Sequence, residues 1–220
     1  MTTAHTNLLP RRSAQLFAGL VVYAASIAML VHAGLGNMPW DVLSQGLARQ
    51  LGWTFGTVTI VVSVVVLACW LPLRQRPGAG TVANVVVIGL LVDPFLALAR
   101  LLGPLPVGAA AALTVAGVAA NAVATACYLG AQLGPGPRDG LMTGLVARTG
   151  GSVRVVRVGI EGVVVLSGWL LGGTVGIGTL AYALAIGPLV HVLLPRFSAR
   201  PTPAGATGTV LTSRASRALP

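Results

Sequence analysis

One frame occurs twice in this chain and restricts its fold more than any other feature. Leu35 to Leu47 and Leu133 to Leu145 both read Leu-Gly-x-x-Pro-x-Asp-x-Leu-x-x-Gly-Leu, at a constant offset of 98 (139 − 41). At the same offset Gly80-Thr81 recurs as Gly178-Thr179, and Ile88-Gly89 with Leu91-Val92 recurs as Ile186-Gly187 with Leu189-Val190. Trp70-Leu71 recurs as Trp169-Leu170 with a one-residue slip. The duplication therefore covers most of the chain.

The duplicated units are membrane units. Apolar residues make up 55% of the sequence and charged residues 8%, with a mean hydropathy of +0.87, whereas about a quarter of the residues of a soluble domain are charged. Apolar runs cover about 14–34, 55–73, 80–101, 107–129, 153–171 and 175–194. Each is long enough, at about 1.5 Å per residue, to cross a hydrocarbon core of about 30 Å. The first run follows Arg11-Arg12 and could be mistaken for a signal peptide, but its length and its mid-chain mate, near 112–130, place it in the folded unit. Three runs per unit is an odd number, so the second unit must start on the opposite side of the membrane. The expected fold is an all-α membrane protein of six transmembrane helices, arranged as two inverted three-helix repeats. Its parts are a cytoplasmic N-terminal segment (1–13), repeats over 14–101 and 102–197, and a disordered cytoplasmic tail over 198–220, rich in Pro, Thr, Ser, Ala and Gly.

Charge placement orients these spans. The net charge of +10 comes entirely from arginine. With the N-terminus inside, the inner segments hold twelve arginines and the outer ones only Arg49 and Arg100, a positive-inside bias that puts both termini in the cytoplasm. No basic cluster is interleaved with aromatics, so nucleic acid is not an expected partner. Cys69 and Cys127 lie in apolar runs and imply neither a disulfide framework nor a metal site.

The repeated frame carries the first candidate residues. Val42, Leu43, Leu47 and Leu51 fall at helical spacing, so 40–51 reads as a short amphipathic or re-entrant helix after the first span, with 138–148 as its mate. Pro39 and Pro137 suit a first turn. Asp41 and Asp139 then lie near a helix N-terminus, where unpaired amides and the dipole stabilise a carboxylate. Two readings stand: first-turn stabilisation, or carboxylates placed at a polar cavity by helices that dip into the protein. Arg138 sits beside Asp139, as a local ion pair or a positive-inside anchor.

Within the spans, Arg154, Arg157 and Glu161 share one helix face, with Glu161 about 10 Å beyond Arg154. A carboxylate at that depth is costly unless paired or hydrated, so Glu161 is a candidate site residue, and Arg157 is within reach as its partner. Asp93 precedes Pro94, and a kink with a nearby carboxylate is a feature of broken transporter helices; a shallow interfacial position is the alternative. His191 occupies the equivalent frame position and reads as a packing residue. Asn84, Asn121 and Thr125 suit interhelical hydrogen bonds. Gly168-x-x-x-Gly172 and Gly172-x-x-x-Gly176 fit close helix packing, within one chain or between two copies in a homodimer. No catalytic, phosphate-binding or metal motif is present, so neither an enzyme nor a cofactor is expected.

Leu35-Gly-Asn-Met-Pro-Trp-Asp41, Arg74-Gln-Arg-Pro-Gly78, Gly134-Pro-Gly-Pro-Arg-Asp-Gly140 and Ser152-Val-Arg-Val-Val-Arg157 together resemble the YczE/YyaS/YitT family of bacterial integral membrane proteins, the YczE-like branch in particular. The resemblance covers about 11–195 and implies a multi-pass protein of the bacterial plasma membrane, with no catalytic residues to carry over. The lipid bilayer is the partner common to every reading. A transporter of an unknown small molecule or ion is the first functional expectation. The alternative is a non-transporting scaffold or accessory protein that docks a cytoplasmic partner. A polar cavity favours the former and a dry, packed bundle the latter.

Overall fold

The computed structural model describes residues 8–198. The expected tail beyond Ser198 and residues 1–7 lie outside the described residues. Nine helices follow one another among the described residues: α1 (Leu8–Ala33), α2 (Pro39–Leu51), α3 (Phe55–Ala68), α4 (Trp70–Leu73), α5 (Ala79–Arg100), α6 (Val107–Gly130), α7 (Pro137–Thr149), α8 (Val153–Leu170) and α9 (Ile177–Phe197). Helix α1 begins inside the segment expected to precede the first span. The second span breaks at Cys69 into α3 and α4, and α5 runs through Pro94 as one helix.

Five stretches are long and apolar enough to cross a membrane: Leu9–Ala33, Phe55–Leu73, Ala79–Arg100, Val107–Gly130 and Ile177–Phe197. Six apolar runs of spanning length are present in the sequence. Helix α8 is the one left out; it has 18 residues and carries Arg154, Arg157 and Glu161.

The short helices start and stop where their sequences dictate. Pro39 and Pro137 stand in the first turns of α2 and α7, and Gly52 (φ 67°) and Gly150 (φ 66°) end them in the left-handed conformation, which favours glycine. Each is buried at its beginning and open at its end. Met38, Asp41 and Val42 are 0–1% exposed, whereas Leu51 and Trp53 are half exposed; Pro137 and Gly140 are buried, whereas Arg148 and Thr149 are exposed. In α2, Leu43, Leu47 and Ala48 pack on Val58, Val62 and Val66 of α3. The helix thus runs inward along its neighbour.

The centre of the bundle is the α1–α6 crossing, flanked by α5 on α1 and α9 on α6. Gly19 of α1 lies against Ala124 and Tyr128, and Gly117 of α6, 98 positions later, lies against Leu30. The loops between long and short helices lock the two halves to each other. Gly178 donates its N–H to the Leu35 carbonyl at 2.8 Å, and Gly80 donates to Leu133 at 2.8 Å. The two bonds are related to each other by the offset of 98, donor to donor (178 − 80) and acceptor to acceptor (133 − 35). Gly36 (φ 120°) sits against Thr179, and Gly134 (φ 130°) against Thr81. Both positions need glycine for the backbone angle and for the close approach.

Candidate functional site

A cavity of about 300 Å³ lies where the first turns of α2 and α7 come together, walled by α1, α3, α5, α6, α8 and α9. Its lining includes seven pairs at the offset of 98: Met38/Gly136, Pro39/Pro137, Trp40/Arg138, Thr59/Arg157, Ser63/Glu161, Asn84/Tyr182 and Ile88/Ile186. One pair touches directly. The Arg138 guanidinium stacks over the Trp40 ring at 5.4 Å from its centroid, a geometry that favours a cation.

Arg138 is the hub of the polar groups. Its Nη2 donates to Asp41 Oδ1 at 3.2 Å, with the Arg138 side chain 23% exposed and that of Asp41 1%. The expected neighbour pairing with Asp139 does not form; the ion pair instead joins the two frames, because both first turns point at the same place. Asp139 accepts a hydrogen bond from the Tyr128 hydroxyl, and Tyr128 packs edge-on against Tyr23. The second oxygen of Asp41, the Asn37 Oδ1 and the Ser44 hydroxyl are buried without a protein partner. Such groups are costly in a dry interior, so this end of α2 is suited to water or a ligand.

The other sequence candidates divide. Arg157 donates to Glu161 at 2.9 Å, and both line the cavity. Asp93 lies elsewhere: its Oδ1 accepts the Gly56 N–H at 2.9 Å at the start of α3, in a separate cleft shared with Arg49 and Arg100. It stabilises the N-terminus of α3 and is absent from the cavity lining, so the structure does not bring it together with the other candidates. His191 is exposed and is absent from the lining. Arg138 and Arg157 both face the cavity.

Sequence reading missed Tyr23, Thr59, Ser63, Tyr128 and Tyr182 as lining residues. Asn121 forms an interhelical bond as expected, accepting from Tyr182 and donating to Ser26, each at 2.9 Å; Asn84 and Thr125 line the cavity instead. Subtracting 98 from Arg157 and Glu161 leads to Thr59 and Ser63, so the repeat held that information. The same offset leads from Asn84 to Tyr182 and from Asn121 to Tyr23; Tyr128 alone has no such marker, since its counterpart is the apolar Leu30. Among the described residues no cluster of His, Cys, Asp and Glu is suited to a metal.

Long apolar helices around a polar, aromatic-lined cavity define a multi-pass helical membrane protein. The chain belongs to the family described as a family of unknown function, DUF6198, whose model matches residues 10–195. It is similar to an uncharacterized protein of Haemophilus influenzae, 39% identical over 180 residues, which cover 80% of this chain and 82% of that protein. It is also similar to the uncharacterized membrane protein YczE of Bacillus subtilis, 31% identical over 82% of this chain and 84% of that protein. The protein YyaS of the same organism is 24% identical over 80% of this chain and 89% of its own length. The resemblance to YczE-like proteins therefore holds. No solved structure matches the chain.

Proposed function

We propose that the chain is a six-span protein of the bacterial plasma membrane with both termini cytoplasmic, and that it carries a small molecule or ion through the cavity between two inverted three-span repeats. The observation that carries this reading is the pairing of the lining residues at the offset of 98. Residues related by an internal two-fold axis face the same space only if that space lies on the axis, which is where inverted-repeat transporters bind their substrates. The reciprocal bonds Gly178 to Leu35 and Gly80 to Leu133 support the same axis.

Helix α8 serves as the sixth span in this reading. Arg157 and Glu161 pair with each other on the cavity wall, so two of its three charges are compensated, as charged groups within a span need to be. The transport reading includes no chemical step and no cofactor. A polar cavity also supports it over the scaffold reading, which anticipates a dry bundle.

The test is a substrate-library thermal-shift screen of the purified protein, followed by uptake of each hit into proteoliposomes. A ligand that binds the folded state raises its apparent stability. Substitution of Arg138, Asp139 or Glu161 should abolish both the shift and the uptake. Uptake that survives all three substitutions rejects this cavity as the path.

A further inference from the structure

The two repeats differ at one seam. Helix α3 packs on α5 in the first repeat, whereas their counterparts α8 and α9 scarcely touch. Gly89 of α5 is pressed by Ile60 and the Gly56 backbone, and the Gly56 to Asp93 bond fastens the same seam. At Gly187, the counterpart of Gly89, a Cβ atom would meet nothing within 4 Å. Both edges of this second seam belong to the cavity wall, with Arg157, Ile160 and Glu161 on one side and Ile186, Gly187 and Val190 on the other. Beyond them the helices turn exposed apolar residues outward, among them Val158 (65% exposed) and Leu184 (68%), as lipid-facing surfaces do.

The charge and the rings facing the cavity select what can enter. Two positive charges, Arg138 and Arg157, and two negative ones, Asp139 and Glu161, face the cavity; Arg138 is matched by Asp41 behind the wall and Arg157 by Glu161, which leaves Asp139, held by the neutral Tyr128 hydroxyl, as the lining carboxylate without an ion-pair partner among the described residues. Tyr23, Tyr128 and Tyr182 add aromatic rings, whose faces attract cations. Apolar Ile160, Ile186 and Val190 line the two sides of the seam where it meets the cavity.

We infer that the α8–α9 seam is a lateral portal through which an amphipathic organic cation enters the cavity from the bilayer. The inference deepens the transport reading by naming its substrate class, and it rests on that reading for the direction of the spans. An ion pair at the mouth, Arg157 with Glu161, offers a carboxylate to the incoming cation while Arg157 repels it from resting there.

Two measurements on the full chain in liposomes test this. A bimane fluorophore on Gly187→Cys, with Cys69 and Cys127 replaced by serine, should be quenched by lipids brominated in their acyl chains. Tetraphenylphosphonium, a lipophilic cation, should raise the melting temperature, whereas tetraphenylborate, its anionic counterpart, and tetramethylammonium, which lacks the apolar body, should not. The shift should persist in Gly187→Ala and vanish in Gly187→Trp, which fills the mouth. An unquenched bimane overturns the portal. So does a tetraphenylphosphonium shift that is absent, matched by tetraphenylborate, or retained in Gly187→Trp. If the cation binds through the seam but no ligand from the library screen enters proteoliposomes faster than protein-free liposomes, the transport reading fails and the portal stands.

Discussion

Asp41 and Asp139 occupy the same position in the two frames but do different work. Asp41 is almost fully enclosed and balances Arg138, while Asp139 faces the cavity and is held by Tyr128. Removing one member of a buried ion pair leaves the other charge uncompensated, which costs on the order of 3–5 kcal/mol in a closed interior. The exposures decide which removal is worse. Arg138→Ala strands a carboxylate that is 1% exposed, whereas Asp41→Ala strands a guanidinium that is 23% exposed and reaches the cavity. Arg138→Ala should therefore destabilise the protein by about 3 kcal/mol or more, and Asp41→Ala by less. Adding Asp41→Asn to Arg138→Ala should recover part of the loss. Denaturation midpoints in detergent would read all three; equal costs for the single substitutions would contradict the burial argument. That both aspartates start short helices was legible from Pro-x-Asp. Their partners were not, because the ion pair spans 97 residues (138 − 41) and depends on how the two first turns meet.

At the scale of elements, glycines decide which helices come close. The Gly168-x-x-x-Gly172 spacing was legible as a packing motif, but sequence could not name the neighbour. Gly168 lies against the backbone of Val42 and Leu43 in α2, and Gly176 against Leu35, so these two are engaged within the chain; Gly172, which both spacings share, has nothing nearer than 4.0 Å to a Cβ position, and the adjacent Gly173 packs on Val42 instead. A methyl group at Gly168 or Gly173 would overlap backbone atoms. Gly168→Ala should cost about 1–3 kcal/mol, as overpacking does. Gly159 and Gly162, on the same helix, have nothing within 4 Å of a Cβ position. Replacing either by alanine should be neutral or stabilise by up to about 1 kcal/mol, the difference in helix propensity. A Gly159→Ala variant that melts as low as Gly168→Ala would show that α8 is covered along its outer face. Asp93 gives a third test at this scale. Its bond to the Gly56 N–H ties α5 to the start of α3, so Asp93→Ala should cost about 1 kcal/mol, in the range of a lost helix cap, and leave ligand binding unchanged. Loss of binding in that variant would return Asp93 to the site.

For the whole molecule, the offset of 98 connects sequence and architecture more securely than hydropathy does. Length and composition together pass five stretches and omit α8, because its three charged residues make it look unlike a span. The repeat identifies α8 as the counterpart of α3 and relates its charged positions to Thr59 and Ser63, which line the same cavity. The difference between the α3–α5 and α8–α9 seams was not legible, since Gly89 and Gly187 are identical in sequence and differ only in what surrounds them. The proposed inversion has a consequence that requires no substrate. Leu51 and Thr149 are related by the offset (149 − 51 = 98), and both are exposed at the open ends of α2 and α7. With Cys69 and Cys127 replaced by serine, Leu51→Cys and Thr149→Cys can each be treated with a membrane-impermeant maleimide in intact cells. The account predicts that Leu51→Cys is labelled from outside and Thr149→Cys only after the membrane is opened; labelling of both from the same side would contradict the inverted repeat and, with it, the cavity on its axis.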